Sequence, residues 1–117
     1  MTIAVSGVRR PLTRAEENLV RSILTAHSER TVHVGDCPTG VDKFVRDYCS
    51  ADRVKVFAAD WTRGQSAGPI RNGRMLKGCE ILIAFPGAAH SPGTRNAIEQ
   101  AIRAGIETHV YPLKIRE

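Results

Sequence analysis

The sequence predicts one α/β domain in three layers, helices over sheet over helices, with five mainly parallel strands in the order 3-2-1-4-5. Three observations carry this. Short apolar or β-branched runs alternate with amphipathic helical patterns, β-α-β-α-β-α-β-α-β, and that alternation implies a parallel sheet covered on both faces. The run Ile81-Leu82-Ile83-Ala84-Phe85 is apolar throughout, as a strand buried on both sides must be. Glycine-bearing turns follow three of the strands, at Ser6-Gly7-Val8-Arg9-Arg10, at Gly35 through Asp42, and at Pro86-Gly87 through Gly93-Thr94. In a doubly wound sheet these strand ends form the crevice where ligands bind, beside the point at which strand order reverses.

Thr2 to Ser6 reads as a short buried strand ended by Gly7, with irregular backbone marked by Pro11. Thr13 and Glu16 have capping-box spacing, and the helix they open carries Ala15, Leu19, Val20, Ile23 and Leu24 on one face, ending near His27-Ser28. A second strand covers residues 31–34. From Gly40 a helix turns Val41, Phe44, Val45 and Tyr48 inward and Lys43, Arg46 and Asp47 to water. Arg53 to Phe57 alternates polar with apolar, as an edge strand does.

Ala58 to Ala67 is expected to be a long polar loop holding the single tryptophan, Trp61. Gly68-Pro69 opens a helix through Met75-Leu76, in which Gly73 costs about 1 kcal/mol against alanine and so implies a close neighbour. Glu80 to Phe85 is the fourth strand. After the loop 86–93 a helix buries Ala97, Ile98, Ala101 and Ile102, with Gly105 as its C′ cap and Ile106 the apolar residue beyond. A last strand at 108–112 precedes a charged tail, Leu113 to Glu117.

At 117 residues the chain supports one core without staples. No apolar run approaches the roughly 18 residues of a membrane span, and no basic-then-apolar leader is present, so a cytoplasmic protein without membrane partners is expected. Cys37, Cys49 and Cys79 are odd in number and lack C-x-x-C spacing, which argues for free thiols in a reducing compartment. The net charge of +5 favours anionic partners, but dispersed basic residues and 5% aromatics do not single out nucleic acid. The histidines are scattered and H-E-x-x-H is absent, so no metal site is expected and no cofactor is required. Neither G-x-G-x-x-G nor a Walker loop occurs.

The turn from Gly35 to Asp42 joins a strand to a helix N-terminus, where glycine admits a ligand to the backbone and unpaired N–H groups favour an anion. Asp42 suits either the positive helix end or a ribose hydroxyl. Arg71 offers planar bidentate donors to phosphate, with Arg74 and Lys77 at i+3 and i+6. Asp60 is a turn former, or orients Arg71 or a sugar. Trp61 belongs to the core or stacks on a base. Asn72 caps or positions backbone. Thr94 stands where it can cap its helix.

Gly35-Asp36-Cys37-Pro38-Thr39-Gly40-Val41-Asp42, then Ala59-Asp60-Trp61 with Gly64, then Ala67-Gly68 through Arg71-Asn72 to Met75, then Ile83 to Gly87 with Gly93-Thr94, resemble the YspA-like branch of the SLOG superfamily. The resemblance runs from Ser6 to about Ile106. It implies a Rossmann-like domain that binds a nucleotide or nucleotide-derived ligand at the strand ends, with a homodimer or higher homo-oligomer expected. The superfamily also holds the cytokinin-activating phosphoribohydrolases and the DNA-processing protein A.

Carried over to this chain, the expected ligand residues are Ser6, Gly7, Arg9, Gly35, Asp36, Thr39, Gly40, Asp42, Asp60, Trp61, Arg71, Asn72, Arg74, Pro86, Gly87, Gly93 and Thr94. One departure bears on chemistry. The phosphoribohydrolases carry P-G-G-x-G-T-x-x-E, whereas Ala97 stands three residues after Thr94 here. The nearest glutamate, Glu99, is turned about 200° further round the helix. Candidate catalytic residues are therefore Arg71, Asp60 and Glu99, and the departure favours a sensor or sequestering module over an N-glycosidic or phosphoester hydrolase. Single-stranded nucleic-acid binding is the third expectation.

Overall fold

The computed structural model describes residues 1–87 and 91–113. Its elements are β1 (Thr2–Gly7), α1 (Arg14–Ala26), β2 (Thr31–Gly35), α2 (Gly40–Tyr48), β3 (Val54–Phe57), a 3-10 segment (Trp61–Ser66), α3 (Ala67–Leu76), β4 (Ile81–Phe85), α4 (Pro92–Arg103) and β5 (Glu107–Val110). The five strands are all parallel, in the order β3-β2-β1-β4-β5. Central β1 sets Val5 beside Val34 of β2 and Ile83 of β4. The order reverses between β1 and β4, as expected from the sequence.

Strand alternation separates two cores. Ile3, Val5, Val32, Val34, Ile81, Ile83 and Phe85 face α1 and α2, where Val20, Leu24, Val41 and Val45 meet them. Ala4, Leu82 and Ala84 face α3 and α4, against Met75, Leu76, Ala97 and Ala101. The small residues Ala97 and Ala101 bring α4 close to the sheet. Ile102, one position further round, is left 65% exposed rather than buried as expected. Ala15, Leu19 and Tyr48 are likewise exposed, against expectation.

In α1 the inward position of the first turn goes to Glu16. Its carboxylate accepts the Thr13 N–H at 2.9 Å, and Thr13 Oγ1 accepts the Glu16 N–H at 3.2 Å. Both guanidinium nitrogens of Arg10 donate to the same carboxylate at 2.8 Å. The Arg10 pair, more than burial opposes it, holds the Glu16 carboxyl at about 2, well below its ordinary 4.5. Such a depressed group stabilises the fold above its unfolded-state value and loses that contribution as pH falls. Glu16→Gln keeps the cap but not the charge and is expected to cost about 2 kcal/mol at pH 7. Urea unfolding should show the gap to wild type closing between pH 4.5 and about 2; a gap independent of pH would rule out the ion pair as its source.

The stretch expected as loop at 58–67 is helical in part. Asp60 accepts the Thr62 N–H and starts the 3-10 segment, which Gly64 interrupts with φ 68. Gly73 lies against α4, where an added methyl would come within 3.2 Å of the Gln100 side-chain oxygen. At the end of α4, Gly105 (φ 75) donates to the Ile102 carbonyl and Ile106 to that of Ala101, the paired bonds of a Schellman cap. Leu113, expected in a charged tail, is buried and bonds Pro86 O at 2.7 Å. The rest of that tail lies outside the described residues, as do 88–90 of the final glycine loop. No described helix is long and apolar enough to cross a membrane.

Candidate functional site

All three glycine turns emerge at the carboxyl edge of the sheet, and the first two are bonded to each other. Val41 N–H donates to Val8 O at 3.0 Å, and the Thr39 hydroxyl donates to Arg9 O. Gly40 has φ 77, and a methyl there would stand 2.1 Å from Val8 O. A methyl on Gly7 would strike Val41 Cγ2 at 2.5 Å. The start of α2, expected to offer free donors to an anion, thus gives its Val41 N–H to the β1 loop. Gly7, Thr39 and Gly40 let two backbones approach, and they hold the Val8-Arg9 segment at the mouth of the switch point.

Behind this contact lies a buried charge cluster. Arg71, 8% exposed, reaches across from α3, and its Nη1 stands 3.4 Å from Asp36 Oδ1 and 3.5 Å from Phe57 O. Its Nε donates to Asn72 Oδ1 at 3.0 Å. Gly35 is wedged between charges, since a methyl on it would meet Asp42 Oδ2 at 2.6 Å and Arg71 Nη1 at 2.7 Å. Asp36, rather than Asp60, is the carboxylate that Arg71 meets.

Asp42 is buried and accepts the Cys37 N–H at 3.3 Å. Burial pushes its carboxyl up, against the opposing pull of that N–H and of Arg71, Arg46 and Arg9. A raised carboxyl contributes stability that is fully present below its unfolded value of 3.8 and lost as pH rises through the folded one. Wild type should therefore gain stability relative to Asp42→Asn as pH is lowered from 7 to 4, followed by urea unfolding. A constant difference would place the carboxyl in an environment no more costly than water.

On the other side of the β1 loop, over the β1–β4 switch point, opens a cleft of about 1050 Å³. Gly7, Arg9, Trp61, Gly87, Gly93 and Thr94 of the expected ligand residues line it, and so does Glu99. Trp61 is 54% exposed, not core, and the Arg9 guanidinium lies 5.7 Å from its ring centroid. The same guanidinium lies 3.9 Å from where a Gly93 side chain would begin. Arg9 thus spans from the indole to the first turn of α4. Arg10, its neighbour, is committed to Glu16.

Thr94 is buried, with its hydroxyl 3.2 Å from that of Ser6. Asn72 donates to Gly93 O and to Asn96 Oδ1, each at 3.1 Å, so α3 fixes the start of α4. Pro86 is half-buried, and the Gly87 N–H donates to Ser91 Oγ at 3.1 Å.

The expected residues therefore divide. Gly35, Asp36 and Asp42 form the charged cluster with Arg71. Asp60 and Arg74 lie on the far side of the 3-10 segment, where Asp60 serves as a turn former. Arg74 covers Phe57 and donates to Ala58 O at 3.3 Å. Lys77 lies past the end of α3. Ala97 is fully buried, so the position where the phosphoribohydrolases carry glutamate faces the core, while Glu99 two residues on reaches the cleft.

Sequence reasoning missed Ser91, Arg95 and Asn96 as cleft residues. The signal was Ser91-Pro92, an N-cap followed by proline at the first helical position, which puts Gly93, Thr94 and Arg95 in the first turn. Among the described residues, no group of three or more His, Cys, Asp or Glu side chains comes together in a metal-binding arrangement. No family model, curated protein or solved structure matches the chain.

Proposed function

We propose that the protein binds a small nucleotide or nucleotide-derived ligand in the cleft over the β1–β4 switch point, as a sensor or sequestering module. One observation carries this reading: a ligand-sized cleft at the carboxyl edge of a doubly wound sheet combines an exposed indole with Arg9, Arg95 and the first turn of α4. An indole face suits a base. Guanidinium groups beside the first, unpaired N–H groups of a helix suit its phosphate. The resemblance to the YspA-like branch of the SLOG superfamily points to the same class of ligand.

The test is a thermal-shift and fluorescence titration against mononucleotides, ADP-ribose, NAD, cyclic dinucleotides and short single-stranded DNA. Trp61 is the only tryptophan, so its emission reports the cleft directly. A ligand at 100 times its Kd should stabilise the fold by about 2.7 kcal/mol and alter that emission. A panel without effect on a folded protein would overturn the reading.

Hydrolysis has one observation in its favour. Of the three candidate catalytic residues, Glu99 alone lines this cleft; Arg71 and Asp60 do not. Recovery of base and sugar phosphate from a bound nucleotide, lost on Glu99→Gln, would establish it. Recovery of the intact nucleotide would leave binding as the activity.

A further inference from the structure

β5 ends the sheet on one side, and no strand pairs with its outer side among the described residues. The Tyr111 N–H donates to Ala84 O, toward β4. Backbone groups alternate along a strand, so the N–H and C=O of Thr108 and Val110 point away from β4, with the Ile106 carbonyl in the same row. Such a row is a template for another strand unless charge guards it. The opposite edge, β3, holds an exposed Lys55, whereas β5 holds no lysine or arginine.

The side chains along this row are apolar on one face. Thr108 and Val110 stand beside Leu82 and Ala84, on the side of the sheet that α3 and α4 cover, and Ile106 packs against the same core. Asn96 and Gln100 bond α4 to α3, which turns Ile98 and Ile102 to the other side of the helix, toward β5. Ile102 is 65% exposed and Val110 44%. On the opposite face of β5, His109 Nε2 lies 2.6 Å from Glu107 Oε2.

Self-complementarity selects the occupant. A second β5, antiparallel and related by a twofold axis, can hydrogen-bond only through the row of Ile106, Thr108 and Val110. The axis then passes through Glu107, Thr108 or His109. A centre at Glu107 opposes two carboxylates, and one at His109 opposes two imidazoles. Centred on Thr108, Glu107 of each copy stands opposite His109 of the other, and Val110 opposite Ile106.

We propose that two copies of this chain join along β5, antiparallel and centred on Thr108, into one ten-stranded sheet. The superfamily resemblance implies self-association without assigning it a surface. The axis is normal to the sheet, so both α4 helices lie on one face with their Ile102 sides toward the seam. The two carboxyl edges point in opposite directions. Each cleft is therefore built by one chain, and the second copy adds no residue to it.

Sedimentation velocity across the micromolar range should give the mass of two chains. Ile102→Asp should weaken the dimer by at least about tenfold. Ile102 is exposed, and far-UV circular dichroism checks that the fold persists. Oxidative cross-linking reads the register, in a Cys37→Ser background that leaves only the buried Cys49 and Cys79. Thr108→Cys should give a disulfide-linked dimer, because residues opposed in a hydrogen-bonded pair have Cα atoms about 5.5 Å apart, within disulfide reach. Glu107→Cys and His109→Cys should cross-link far more slowly.

A wild type that stays monomeric, a dimer that Ile102→Asp leaves unchanged, or faster cross-linking at 107 or 109 would each overturn the proposal. Nucleotide affinity per chain should be equal in Ile102→Asp and wild type, and a loss there would contradict the antiparallel arrangement. The mass and cross-linking measurements need no ligand, so the dimer and the nucleotide reading can fail separately.

Discussion

Gly40→Ala should lower the unfolding free energy by about 3–4 kcal/mol, among the larger effects of a single substitution. Two penalties combine. The backbone at Gly40 has φ 77, where an L side chain costs about 1–2 kcal/mol. The added methyl would also lie 2.1 Å from Val8 O and within 2.8 Å of Arg9 Cα, both backbone atoms that no rotamer change can move. Relief requires α2 to part from the β1 loop, which breaks the Val41–Val8 hydrogen bond.

Gly105→Ala supplies the control. Gly105 has φ 75, and nothing lies within 4 Å of where its side chain would begin, so it isolates the conformational penalty. Urea unfolding of both variants should show Gly40→Ala to be the more damaging by about 2 kcal/mol, the contribution of overpacking. Equal losses would mean that the two loops do not press on each other as described.

Trp61→Ala should weaken binding of whichever nucleotide scores in the panel by about 5- to 150-fold, the worth of one base stacked on an aromatic ring. Its effect on stability should be small, within about 0.5 kcal/mol, because the side chain is exposed and belongs to neither core. Isothermal calorimetry is the measurement, since the substitution removes the fluorophore. Unchanged affinity with an intact fold would put the base elsewhere. Arg9→Ala should also weaken the same ligand, through the loss of a phosphate donor and of the cation that lies over the indole.

Much of the architecture was legible because its determinants are local. The capping box of Thr13 and Glu16 and the Gly105 Schellman cap are patterns spanning a few residues, and both formed where the sequence put them. The apolar run at 81–85 read as an interior strand, and the order 3-2-1-4-5 followed on the condition that the chain reverses between the first and fourth strands. Helix faces were less secure: Ile102 and Ala97 are both apolar, and only the closeness of α4 to the sheet decided which was buried.

The sequence by itself determined the five strands and four α-helices, the parallel sheet, and the arrival of three glycine turns at one edge. The tertiary structure alone decided how those turns divide the work. It set Gly40 against Val8, Ser6 beside Thr94, Arg71 toward Asp36, and Trp61 out into the cleft with Arg9 over it. The physical reason is the range of the interaction. Capping and periodicity act within one or two helical turns, where sequence spacing fixes geometry. A side chain's partner across 30 to 88 residues, as for Thr39 with Arg9 or Ser6 with Thr94, depends on how whole elements stack before it is chosen.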